Sequence, residues 1–132
     1  MKTLKLIIKQ RFFDEIIKGT KKQELREVRP TTVKKLLQLD REGYEIEDEN
    51  GNAQPIKYDA LHLYVGYAKN RASAIVEVKS AYCEMLLDES GEPIIYEDGT
   101  GKDGKPLTWV AERVVYNLGE VLAYKPKSVK NV

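Results

Sequence analysis

One cysteine, one histidine and one tryptophan in 132 residues leave this chain short of the side chains on which many small functional sites are built. A lone Cys83 forms no internal disulfide, which excludes a stapled secreted scaffold and points to a reducing compartment, the cytoplasm. His62 and Cys83 together supply neither a zinc site nor a Cys–His catalytic pair, so neither a metal nor a cofactor is expected. No apolar run is long enough to span a bilayer, and Lys5 and Lys9 interrupt the one stretch that resembles a secretion signal. A membrane partner is therefore not expected. Net charge is nearly absent as well, at +1.

That neutrality conceals segregation. Residues 1–41 hold 12 Lys/Arg against 5 Asp/Glu, residues 42–120 hold 7 against 16, and the remainder adds three lysines. Such a distribution can build a basic face on a near-neutral protein, unless folding intermixes the segments. The composition is otherwise that of a soluble globular chain, 42% apolar and 33% charged, sufficient for a single domain over 1–132.

Leu4, Leu6 and Ile8 alternate with Lys5, Ile7 and Lys9, which predicts a strand with one buried face. Phe12, Phe13, Ile16 and Ile17 recur at helical spacing, and Gly19 stands where a left-handed cap belongs. Gln23 to Val28 then reads as a second strand, ended by Pro30. Thr31 or Thr32 is placed to cap a helix running through Val33, Leu36 and Leu37 towards Gly43. Asn50-Gly51, flanked by 44–48 and 53–58, is a type I′ hairpin signal. Strands follow over 61–65 and 72–86, with a hairpin over 94–104. The segment 107–115 fits a helix and a strand equally, and Gly119 marks a bulge or kink in terminal strand material. The sum is six or seven strands with two or three short helices: a small, mostly antiparallel α+β barrel.

The second strand is unusual in its charge. Extended backbone would put Glu24 and Arg26 on one face and turn Leu25 to the core, with Lys21 and Lys22 in the turn leading in. Arg offers a planar fork to phosphate oxygens, Lys a point charge, and Glu an acceptor for an amino group or ribose hydroxyl. The same residues also make an ordinary surface ion-pair ladder. Tyr64 and Tyr67, followed by Lys69 and Arg71, carry the pieces of a base-stacking and phosphate-holding site, although barrel tyrosines also serve as half-buried packing. Gly99 to Lys105 meets the glycine–lysine frame of a phosphate loop, but Pro106 replaces the hydroxyl residue that would hold magnesium, so it reads as a hairpin loop.

Phe12-Phe13-x-x-Ile16-Ile17-x-Gly19-x-Lys21-x-x-Glu24-x-Arg26 resembles the opening of the ASCH domain, a member of the PUA-like superfamily. The runs Tyr64–Tyr67, Ala74–Val78 and Val115–Val121 fall in the order of that family's barrel strands. The resemblance implies a PUA-like β-barrel whose cleft is lined by Lys21, Glu24 and Arg26, with Lys22 and Arg29 assisting, and a ligand that is RNA or a nucleotide. Small hydrolases of similar sequence act on an acetylated cytidine through a Thr three residues after the motif Lys. Here that position is Glu24, which argues against Thr-based hydrolysis; the alternative enzyme reading is a small hydrolase acting on a modified nucleoside or an RNA phosphodiester, with Lys21 and Glu24 as its acid/base pair. A third reading is a protein partner bound through the acidic 42–58 segment.

Overall fold

The computed structural model describes residues 1–129, apart from the Asp98 side chain; Lys130, one of the C-terminal lysines, lies outside the described residues. Among the described residues seven strands and two short helices follow one another, both helices in the first third: β1 (Thr3–Ile8), α1 (Gln10–Lys18), β2 (Gln23–Val28), α2 (Val33–Leu36), β3 (Ala60–Val65), β4 (Ser73–Met85), β5 (Ile95–Thr100), β6 (Pro106–Val110) and β7 (Glu112–Lys125). The class is α+β. The main sheet has the order β1-β3-β4-β7-β2 and ends at β1 and β2, so it is open rather than closed into a barrel; β5 and β6 form a separate antiparallel pair. Among the described residues no helix is long and apolar enough to cross a membrane.

Packing divides the chain into two compact units. The first comprises Met1–Glu24, Lys57–Ala81 and the chain from Tyr116 onward. In it β1 and β3 run parallel, with Leu4 beside Leu61, Leu6 beside Leu63 and Ile8 beside Val65, and β3 pairs with β4 in antiparallel fashion. All six of those side chains but Val65 are buried, as are Ala74 and Val76 of β4. This apolar face receives α1, which buries Phe13 and Ile16 and places Phe13 6.1 Å from the Tyr124 ring. The alternate face of the same strands carries Lys5, His62, Tyr64, Ile75 and Glu77 and is half-buried or exposed. Gly19 ends α1 in the left-handed region, φ 80°, and its N–H closes onto the carbonyls of Glu15 and Ile16, as a C-terminal glycine should.

The second unit comprises Leu25–Ile56 and Tyr82–Val115. The helix expected from 31 towards 43 is a single turn. Thr32 Oγ1 is engaged with the carbonyl of Glu27 and the N–H of Arg29 instead of capping, and the chain becomes extended at Leu37. Isolated bridges Leu37–Pro55, Leu39–Glu45 and Glu47–Ala53 take the place of full hairpin strands. The Asn50-Gly51 turn is also not type I′, because Asn50, like every other described non-glycine residue, has no positive φ. Gly51 N–H bonds to Asp48 O, and Asp48 N–H to Asn52 O, the pattern of a type I turn with a left-handed glycine after it. Asp48 Oδ1 accepts from the N–H groups of Asn50 and Asn52. The same Asp-x-x-Gly geometry recurs at Asp40–Gly43 and Asp88–Gly91, each with its own aspartate accepting two backbone N–H groups. These N–H bonds, and for Asp88 first the Ser90 hydroxyl, hold Asp48 and Asp88 below the ordinary carboxylate value, since each favours the ionised form. The ambiguous 107–115 segment is strand, in β6 and the start of β7.

Candidate functional site

The front motif does not take the arrangement that alternation predicted. Glu24 is buried, at 7% exposure, whereas Leu25 is only half-buried. The alternation of β2 is therefore the reverse of the expected one: the acid is on the covered side, and the assumption that the apolar residue faces the core and the acid faces a cleft fails. Lys21 is half-buried with its Nζ 5.6 Å from the Phe12 ring centroid, and Lys22 is exposed. Gln23 Nε2 donates to Asn117 Oδ1, and Leu118 N–H to Lys22 O, which seat the start of β2 beside β7. Arg26 and Arg29 lie further along, in the second unit. Arg29 forms a 2.9 Å ion pair with Glu27 on the surface, of the exposed kind that contributes about 0–1 kcal/mol.

The other three sequence-selected residues do come together. Tyr64, Tyr67 and Lys69, joined by Arg71, Ser73 and Lys125, line an open hollow of about 320 Å³ in the first unit. None of the front-motif residues lines it. The hollow has a definite construction. Gly66 turns the chain out of β3, and Arg71 reaches back across the turn to donate from Nη1 to Gly66 O at 2.8 Å. The guanidinium lies 4.1 Å from the Tyr64 ring centroid, a cation–π contact. Tyr64 in turn stacks on His62, with centroids 4.3 Å apart, and its Oη lies 3.2 Å from His62 Nδ1.

A second clip fixes the far wall. Ser128 N–H donates to Asn70 O at 2.9 Å and Asn70 Nδ2 donates to Ser128 O at 3.0 Å. The chain just past Lys125 is thereby bound to the residue preceding Arg71. Lys69, Arg71 and Lys125 put three cations around one hollow, and among the described residues no carboxylate lines it. The positive field reaches His62: burial first, then Lys5 and Arg71, push its imidazole below the ordinary value of 6.5. Ser73 adds a hydroxyl, and Tyr67, 84% exposed, offers an uncovered ring. Sequence reasoning found the tyrosines and Lys69 from their clustering after β3. It could not find Lys125, whose only signal is a lysine late in the terminal strand.

A different chemistry occupies the second unit. Val28, Pro30, Val33, Trp109, Glu45 and Glu112 line an apolar groove of about 350 Å³. Burial, a hydrogen bond to Glu112, the Glu112 charge and then Glu47 push Glu45 up to about 7. Cys83, buried, donates from Sγ to Glu112 Oε2 at 3.5 Å, and burial followed by the Glu112 charge raises its thiol well above the usual range, which suits a packing residue and not a nucleophile. Among the described residues no group of three or more His, Cys, Asp or Glu is placed to hold a metal ion.

The Glu45 shift has a measurable consequence. The folded form holds this proton more tightly than the unfolded chain, whose value is near 4.5, so the contribution favours folding below 4.5 and is lost as pH rises to about 7. Urea unfolding at pH 5 and pH 8 should show Glu45→Gln relieving part of the wild-type loss at pH 8. An identical pH dependence in the two proteins would place the titration elsewhere.

No family model, no curated protein and no solved structure matches this chain.

Proposed function

We propose that this chain is an RNA- or nucleotide-binding domain of the ASCH, PUA-like kind, with the hollow around Arg71 as its principal contact. The observation that carries the reading is the convergence of Lys69, Arg71 and Lys125 with Tyr64 and Tyr67 around one hollow that no carboxylate of the described residues lines. Three cations favour a polyanion, and an exposed tyrosine ring accepts an unstacked base irrespective of its identity. Single-stranded or looped RNA suits such a surface, because a closed A-form helix keeps its bases stacked and withholds their faces from a tyrosine ring. A separate contribution of Lys21, Lys22, Arg26 and Arg29 to anion binding, and a cytoplasmic setting, belong to the same proposal. The hydrolase alternative gains nothing from Glu24, whose burial removes it from solvent.

The test is a fluorescence-anisotropy titration of a short single-stranded RNA over a range of salt concentrations. Each phosphate contact on a single strand contributes about 0.7 to the logarithmic salt slope, so Lys69→Ala combined with Lys125→Ala should flatten it by about 1.4. Both lysines are exposed, and their removal leaves the packing intact. Lys21→Ala with Arg26→Ala measures the contribution of the front motif in the same assay. An unchanged slope in the Lys69/Lys125 variant would place the RNA contact away from the hollow, and absence of binding at low salt would overturn the reading.

A further inference from the structure

We propose that the hollow recognises a terminal phosphate monoester, on a mononucleotide or at the phosphorylated end of a strand, in preference to an internal phosphodiester. The proposal rests on the binding reading above and specifies its ligand class.

Charge is the first argument. An internal phosphodiester carries one negative charge and two free oxygens. A monoester near neutral pH carries about 1.5 to 2 negative charges and three acceptor oxygens. Three cationic side chains around about 320 Å³, with the Ser73 hydroxyl beside them and no carboxylate of the described residues lining the space, exceed what one diester needs and are better balanced by a dianion. A diester placed there would leave mutual repulsion among Lys69, Arg71 and Lys125 largely uncompensated.

Fixity is the second. Side chains that follow a nucleic-acid backbone do so on long free stems. Arg71 has no such freedom: Gly66 O holds Nη1 at 2.8 Å and Tyr64 covers one face of the guanidinium. Its remaining N–H groups are presented in a fixed plane, the geometry for two parallel bonds to one phosphate group. The paired Asn70–Ser128 bonds fix the backbone next to Arg71 against the backbone just past Lys125. Arg71 is thus built into the hollow, and Lys69 and Lys125 are brought to it on exposed stems. Tyr67, largely uncovered on the rim, is available to the base that follows the phosphate.

The experiment compares one short RNA in three forms: 5′-phosphorylated, 3′-phosphorylated and with hydroxyls at both ends. AMP, adenosine and inorganic phosphate are the small-molecule arms. Preference of at least tenfold for either phosphorylated strand over the hydroxyl form identifies a strand end as the source. The same preference for AMP over adenosine, with no strand effect, identifies a mononucleotide. In either case Lys125→Ala should shrink the preference severalfold. Signals of His62, the single histidine, provide a second readout. It faces Lys5 on β1, Ile75 on β4, and Tyr64 and Arg71 beside it, so a dianion at Arg71 should raise its titration midpoint, whereas adenosine should not. Equal affinity for all three strands together with equal affinity for AMP and adenosine would overturn the monoester proposal while leaving RNA binding in place. No binding in any arm would overturn both.

Discussion

Replacing Arg71 with alanine should weaken binding of single-stranded RNA by about 10- to 100-fold, the equivalent of losing a charged hydrogen-bond donor of about 1.5–3 kcal/mol. Arg71 is the one cation of the hollow that is half-buried and held by two contacts, Gly66 O and the Tyr64 ring. Lysine at the same position should restore little. An ammonium is a point charge without a planar fork, so it cannot cover the Tyr64 ring, bond Gly66 O and still offer two parallel donors. Anisotropy titrations of wild type, Arg71→Ala and Arg71→Lys at one fixed salt concentration distinguish these requirements. Full affinity in the Arg71→Lys protein would mean that charge alone is read and that the fixed plane has no role. A thermal melt of each variant separates loss of the turn at Gly66 from loss of the ligand contact.

The second large effect concerns Gly119. Glycine is a poor residue for the interior of a strand, yet Gly119 sits within β7 without a positive φ, so no turn geometry calls for it. The reason is proximity: the Glu77 side chain of β4 occupies the space that a Cβ at 119 would take, with Glu77 Cβ itself only 3.2 Å from that point. Gly119→Ala should therefore destabilise the protein by about 1–3 kcal/mol, the usual cost of overpacking. Glu77→Ala in the same chain should recover most of the loss, because the carboxylate end of Glu77 makes the closest approach. Urea unfolding of the four proteins in a double-mutant cycle gives the coupling directly. Equal losses from Gly119→Ala with and without Glu77 would show that the Glu77 side chain swings aside at no cost.

Much of the local structure was legible because it depends on near neighbours. The i, i+4 apolar pairs of α1 and the cap at Gly19, the alternation of β1 and β3, and the hairpin of β5 and β6 follow from residues a few positions apart. The Asp-x-x-Gly turns were legible in principle as well. Asp40, Asp48 and Asp88 each stand three residues before a glycine, and that spacing describes the turn better than the Asn-Gly pair at 50–51 did. Where periodicity failed, two different causes acted. The Thr32 hydroxyl bonded Glu27 and Arg29, five and three residues back, instead of capping α2, and Glu24 was covered by the fold despite its charge.

The amino-acid sequence by itself determined an α+β chain rich in short strands, with tyrosines and basic residues concentrated after β3, because backbone preference and side-chain periodicity act over a few residues. Tertiary structure alone decided that β1 runs parallel to β3, that the sheet ends at β1 and β2, and that Glu24 is covered. It also decided that Lys125 stands beside Arg71, 54 positions away by number. Those outcomes depend on which strands meet and in what register, and no local pattern in the chain encodes such a pairing.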